Sequence, residues 1–139
     1  MRNFRKYLLI TLILLTTTLC LTNCIMCDSA CSSYIDNKTN GDIYLILEAN
    51  TKNDIKTIAY FASKSNITKY TIDTLKNLGT IKIPSYEKLM TYSGPGLGPA
   101  CNLKYLKIVT LDNIMEMKST HEIDEKFEKN GVIFTMTIK

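Results

Sequence analysis

Five cysteines, a single histidine and a short acidic run are the residues through which this chain could do chemistry. Cys20, Cys24 and Cys27 are spaced CxxxCxxC, with Cys31 four residues further on and Cys101 far downstream. Thiolates so spaced can hold a cluster or zinc, carry an acyl chain, or oxidise to disulfides, and the compartment decides among these. His121 is the only imidazole, and no serine–histidine–acid motif surrounds it. A lone histidine beside a helix cap reads as solvated. Glu122, Asp124, Glu125 and Glu128 stand among Lys126 and Lys129. They lack the regular acid spacing and glycine of a calcium loop, so they read as a solvated face. Gly94-Pro-Gly-Leu-Gly-Pro99 has the glycines of a phosphate loop, but Pro95 and Pro99 lack N–H donors and no Lys-Ser/Thr follows. It reads as a flexible or extended loop. Tyr86, Tyr92 and Leu97 on or near it could supply contact area, because binding residues concentrate on loops carried by rigid scaffolds. Asn37-Lys38-Thr39 and Asn66-Ile67-Thr68 match the N-glycosylation sequon, which counts only in a eukaryotic host.

The amino-terminal segment sets the compartment. Arg2, Arg5 and Lys6 precede the apolar run Tyr7 to Leu21, and the next charge is Asp28. A basic head before a short apolar stretch is the form of a secretory signal. The positive flank stays cytoplasmic, so the chain beyond the apolar run is delivered outward. Leu21-Thr22-Asn23-Cys24 resembles the lipobox of bacterial lipoproteins, with Asn23 where Gly, Ala or Ser is usual. The resemblance implies cleavage before Cys24, a diacylglyceryl thioether on its sulfur, and acylation of the new amino group with a palmitate-type chain. Two or more chains hold a protein on a membrane stably. The resemblance covers residues 1–24 and carries nothing about the body.

Other versions of this end fit less well or stay open. Leu19 is bulky immediately before Cys20, and Asp28 stands where cleavage before Cys31 needs an apolar or small residue. Tyr7 to Cys27 is 21 residues without a charge, long enough for an uncleaved anchor. Simple secretion is the remaining version. All of them leave the body outside the cytoplasm, and the lipid anchor holds it at the cell membrane or outer membrane.

Export reorders the cysteine chemistry. CxxxCxxC resembles the cluster motif of radical S-adenosylmethionine enzymes, but Cys20 lies inside the signal and only 112 residues follow Cys27, too few for their barrel. Zinc on Cys24, Cys27 and Cys31 loses a ligand to the lipid. No cofactor or metal is expected. Cys27, Cys31 and Cys101 then remain beside a lipidated Cys24, and the expected pair is Cys31 with Cys101. Closing a loop of about 70 residues stabilises by about 4 kcal/mol in the chain-entropy model. The alternative is that all three stay reduced as small apolar residues.

Net charge divides in the same way. The whole chain is +4, from 17 basic and 13 acidic residues. Without residues 1–23 it keeps 14 lysines against 13 acids, a net of +1, and no arginine. Arginine supplies bidentate phosphate and guanine contacts. A near-neutral, arginine-free body is therefore not expected to bind nucleic acid.

The elements that position these residues read as mostly strand. Residues 1–23 form the signal, 24–32 a tether, and 33–139 one β-rich domain. Tyr34-Ile35-Asp36, the turn cluster 37–41 and the run 42–49 read as a hairpin. Residues 54–62 alternate as a strand, with Ile55, Thr57, Ala59 and Phe61 on one face. Strands are expected over 67–72 and 80–83, the latter ended by Pro84. Pro84 also suits the first turn of a short helix over 85–92. The stretch 93–100 reads as irregular. Residues 103–111 and 114–117 read as strands. A capping-box pattern at Ser119-Thr120-His121-Glu122 favours a helical turn near 120–125. Asn130-Gly131 then favours a hairpin joining 126–129 to 132–138. The expected fold is mainly β, a small sandwich or barrel of about seven short strands with one or two short helical segments.

The expected function rests on the address and on the scarcity of catalytic groups. It is a cell-envelope lipoprotein anchored through Cys24, whose domain binds or scaffolds another envelope protein. The alternative is a periplasmic inhibitor, by analogy of shape with the small lipoprotein inhibitors of lysozyme. An enzyme is not expected, and the oligomeric state stays open.

Overall fold

Alternation of apolar and polar residues makes the strands, and the way each strand divides its faces makes the two layers. The computed structural model describes residues 30–67, 69–95 and 102–139. In order they form β1 (Ala30–Asn37), β2 (Ile43–Ala49), α1 (Lys52–Lys64), β3 (Lys69–Asp73), β4 (Leu78–Ile83) and β5 (Lys88–Pro95). After these come β6 (Leu103–Val109), β7 (Ile114–Met117), α2 (Thr120–Asp124), β8 (Glu128–Asn130) and β9 (Ile133–Ile138). The expectations on Cys24, Cys27, Leu97 and Cys101 lie outside the described residues.

The strands form a four-stranded sheet in the order β5-β1-β9-β8 and a five-stranded sheet in the order β3-β4-β2-β6-β7. Neighbours are antiparallel except for β1 beside β9, which run parallel. The two sheets pack as a small β-sandwich. In β2, Ile43, Leu45, Leu47 and Ala49 are buried while Tyr44 and Ile46 face outward. Leu45 stands opposite Ile81 of β4 and Ile108 of β6, all three in the core. The facing sheet contributes Ile35, Leu89, Phe134, Met136 and Ile138 to the same cluster. Burial of such side chains supplies about 2 kcal/mol each relative to exposure.

Several boundaries differ from the sequence expectations. Nine strands form among the described residues, against about seven expected. β1 begins at Ala30, inside the stretch read as tether, so the domain starts earlier than residue 33. β1 and β2 are not a hairpin, because they lie in different sheets and the turn 38–42 crosses the sandwich. Residues 88–95 are strand β5, so no helix covers 85–92. Gly94 and Pro95, expected to be irregular, extend β5, which tolerates proline because it is an edge strand.

The largest difference is α1, over residues expected to be a strand. Thr51 caps it: the Asp54 N–H donates to Thr51 Oγ1 at 3.2 Å, and the Thr51 N–H donates back to Asp54 Oδ2 at 3.0 Å. That capping box, with Ile55, Ile58 and Ala62 buried at helical spacing, outweighs the two-residue alternation. The helix packs on β5, an edge of one sheet, and on β2, β3 and β4 of the other. It therefore closes the flank between the sheets. A Cβ at Gly79 would meet the Ile72 and Ile55 Cδ1 atoms at 2.9 and 3.2 Å, so the bare backbone there makes room for this packing.

The carboxyl end agrees with the sequence reading. Ser119 caps α2, with the Glu122 N–H donating to its hydroxyl at 3.2 Å. β8 and β9 form the hairpin, with Asn130 opposite Ile133 and Gly131 at φ 64°. Glycine takes this left-handed conformation without a Cβ penalty.

Asp124 ends α2 with Oδ1 buried and without a hydrogen-bond partner. Burial raises its carboxyl pKa above the ordinary 3.8, against an opposing pull from His121. The folded state therefore binds this proton more tightly than the unfolded chain does. The contribution of this group to stability is full below the unfolded pKa and falls as pH rises towards the folded one. Asp124→Asn is expected to raise the melting temperature near pH 7 and to leave it unchanged near pH 3, below the ordinary carboxyl range. Calorimetry at both pH values checks this, and a lower melting point near neutrality overturns it.

Candidate functional site

Strand direction sorts the loops into two ends. β1 enters at Ala30 and leaves at Asn37. At the Asn37 end lie the turn 38–42, the turn 84–87 between β4 and β5, the turn 110–113 between β6 and β7, and Lys139. This end is the one away from residue 30, and it carries the candidate site.

Asn37 builds that end. Its side chain is fully buried. Its Nδ2 lies 2.8 Å from the Gly41 carbonyl, 2.9 Å from that of Pro84 and 3.1 Å from that of Ile83. Its Oδ1 accepts from the Thr39 N–H at 3.0 Å and from the Thr39 hydroxyl at 2.7 Å. One amide thus ties the turn 38–42 to the end of β4, across the gap between the sheets. The Ser85 hydroxyl adds a bond to the Thr39 carbonyl at 2.6 Å. The sequon at Asn37 is therefore buried and engaged, whereas Asn66 is exposed and donates to Glu87 at 2.9 Å.

Tyr86 sits on this frame at φ 61°, in the left-handed region, with 63% of its surface exposed. Its hydroxyl donates to Asn40 Oδ1. A bulky residue held there costs of order 1–3 kcal/mol, and such strain clusters at functional positions. Between turns 38–41 and 110–113 runs a groove of about 350 Å³, bounded by Lys38, Asn40, Leu111, Asp112 and Lys139. Leu111 is 85% exposed on its rim.

The other sequence-derived candidates do not converge here. Tyr92 lies towards the opposite end of β5, with its hydroxyl donating to the Pro95 carbonyl at 2.9 Å. It lines a small cleft of about 120 Å³ with Asp54, Asn102 and Leu103. Tyr86 and Tyr92 are therefore separate features, not one contact loop. Cys31 is buried on the core face of β1. His121 is exposed, with Nε2 3.2 Å from Glu125 Oε1. Glu122 accepts from the Lys118 N–H at 2.7 Å. Among the described residues no group of His, Cys, Asp and Glu is arranged to hold a metal ion.

A second surface was not visible in the sequence. The outer face of the five-stranded sheet is open, and cross-strand register arranges it in rows. Lys69, Lys82, Tyr44, Val109 and Ile114 form one, and Thr71, Thr80, Ile46, Lys107 and Glu116 the next. Lys82 bonds Asp42, which holds that carboxyl below its usual range and the lysine above its own. Lys104 pairs with Glu48 at 2.6 Å. The Tyr105 hydroxyl donates to Glu116 at 2.9 Å, and partial burial and that carboxylate both raise its pKa, burial more. Finding such a face needs the pairing of distant strands, which no local pattern records.

No protein-family model, curated protein or solved structure matches this chain. Among the described residues no helix is long and apolar enough to cross a membrane. The fold class, a small β-sandwich flanked by a helix, is what the structure defines.

Proposed function

We propose that this chain is a cell-envelope lipoprotein, anchored through Cys24, whose β-sandwich binds or scaffolds another envelope protein through the loops remote from the anchor. One observation supports it most: β1 begins six residues after Cys24, and the Asn37-braced turns with the strained, exposed Tyr86 lie at the other end of that strand. A domain tethered at one end presents its opposite end to the surroundings. Asn37 gives the turn 38–42 the rigidity that lowers the entropy lost on binding.

Metabolic labelling with a palmitate analogue tests the anchor. The wild-type chain is expected to incorporate it and Cys24→Ser to lose it; undiminished labelling of the variant refutes the lipid site. Photocrosslinking from position 86 of the full chain tests the loops, with position 56 on α1 as reference. Partner adducts from 86 and none from 56 are expected. Tyr86→Gly is expected to raise stability by about 1 kcal/mol through relief of strain, less the lost hydroxyl bond, and to lower the yield of partner adducts formed from a crosslinker placed at position 111 on the neighbouring groove rim. Loss of more than about 1 kcal/mol in a denaturant titration would show that Tyr86 serves the fold instead.

The proposed Cys31–Cys101 disulfide belongs to the same exported setting. Cys31 occupies the end of β1 near residue 30, and β6 starts at its own Leu103, two residues after Cys101 in sequence. Peptide mass spectrometry of the non-reduced protein is expected to recover the linked pair; alkylated Cys101 without prior reduction counts against it.

A further inference from the structure

One corner of the open sheet face combines charges and rings in an arrangement the fold itself does not need. Lys69 stands directly opposite Lys82, and Lys82 opposite Tyr44, on three adjacent strands. Thr71 and Thr80 pair in the next row. Like charges in directly opposed positions repel. Asp42 pairs with Lys82 and feels the charge of Lys69 more weakly. Two ammonium groups against one carboxylate leave a net positive charge, and Lys69 makes no ion pair of its own among the described residues. Tyr44 is 45% exposed, with Tyr70 bordering the same depression at 40%. The depression measures about 430 Å³ and spans three strands, about 10 Å at ordinary strand spacing.

An exposed tyrosine ring, two hydroxyls and an ammonium group form a surface with one apolar patch, a polar rim and one net positive charge. The ligand with the complementary pattern is a sugar ring bearing a carboxylate. Its C–H face lies on an aromatic ring, its hydroxyls meet Thr71 and Thr80, and its carboxylate meets Lys69. We infer that this corner binds an acidic polysaccharide of the uronic-acid class. Extended peptides add to sheet edges; β3 is such an edge, but its free backbone groups point sideways in the plane of the sheet and not towards the rings and ammonium group of this face. Single-stranded nucleic acid also stacks on aromatic rings of sheet faces. The absence of arginine from residue 6 onward and the near-neutral body speak against it. Contact with such a polymer rests on the proposed export of the domain; the surface chemistry does not.

The full chain in detergent micelles tests this by affinity electrophoresis through gels holding polygalacturonate, neutral dextran or single-stranded DNA. Retardation by polygalacturonate alone is expected, weakening as salt is raised. Lys69→Gln is expected to weaken binding about fivefold, the size of one exposed charge contact. Tyr44→Ala is expected to weaken it similarly, and Lys56→Gln on α1 to leave it unchanged. If Tyr44→Ala misfolds, Lys69→Gln, an exposed change at a strand end, decides alone. Equal retardation of wild type and Lys69→Gln overturns the inference, as does retention by dextran or stronger retention by DNA. Palmitate labelling is read separately. A labelled chain that polygalacturonate does not retard sinks this inference and leaves the anchor standing. A retarded but unlabelled chain sinks the anchor and leaves the glycan site.

Discussion

Asn37→Ala is expected to cost the domain about 4 kcal/mol and to lower its melting temperature by about 15 °C. The side chain is 0% exposed, and both ends of its amide are engaged. Alanine leaves the Thr39 N–H and the Ile83 carbonyl without these bonds in a space water does not enter freely. Each buried orphan costs about 1–3 kcal/mol, and the vacated volume adds a cavity term. The Gly41 carbonyl suffers less, since the Thr39 hydroxyl, released from Asn37 Oδ1, lies 2.8 Å away and donates to it instead. Asn37→Asp separates donor from acceptor roles. It keeps an oxygen for Thr39 but turns a carboxylate on the carbonyls of Gly41, Ile83 and Pro84. Its folded pKa is then raised, so its penalty grows as pH rises through the ordinary carboxyl range and is smallest below it. Denaturant titrations at about pH 7 and about pH 3 check both variants. A loss under about 1 kcal/mol for Asn37→Ala would mean that the turns 38–42 and 84–87 hold together without this amide.

Ile58→Glu is expected to cost about 5 kcal/mol or more, enough to unfold most of the population of a domain of ordinary stability. Ile58 is 2% exposed on the face of α1 that closes the flank of the sandwich. A carboxylate there has no cation built to meet it, so it must stay protonated or expel the helix. The neighbouring Thr57→Glu is expected to change stability by less than about 0.5 kcal/mol, because Thr57 is exposed and its hydroxyl bonds only the Asn53 carbonyl, at 2.9 Å. A strand over these residues that buried the face of Ile55 and Thr57 and exposed that of Ile58 and Tyr60 requires the opposite ranking. Circular dichroism melts of the two variants therefore separate the helix from that strand.

That segment shows where local reading ends. Residues 54–62 alternate as a strand would, and the same residues place Ile55, Ile58 and Ala62 on one helical face. Short apolar stretches satisfy both periods, and a two-way ambiguity of this kind is settled by what lies opposite. Here Thr51 and Asp54 reinforce the helix, a capping signal present in the sequence that a reading by alternation passes over. Residues 103–109 and 133–138 were legible because their alternation is long and their flanks carry turn residues. The turn at 37–41 was legible as a turn, but not its role. Hairpin and cross-sheet connections use the same residues, and only the burial of Asn37 between two sheets distinguishes them. For the candidate sites, the strain at Tyr86 and the opposition of Lys69 to Lys82 are facts of backbone angle and register, which composition does not carry.

Taken alone, the sequence determines a two-part pattern: a basic head and an apolar run up to Cys24, then a near-neutral, arginine-free stretch rich in short alternating runs. These are properties of composition and of neighbours a few residues apart, which is the range over which charge flanks, apolar length and period-two alternation act. Tertiary structure alone decides that β1 and β2 part into different sheets, that 52–64 coils, and which side chains share the outer face. Each of these turns on burial against residues distant in the chain, because hydrophobic burial and satisfied hydrogen bonds are gained only when the two sheets meet.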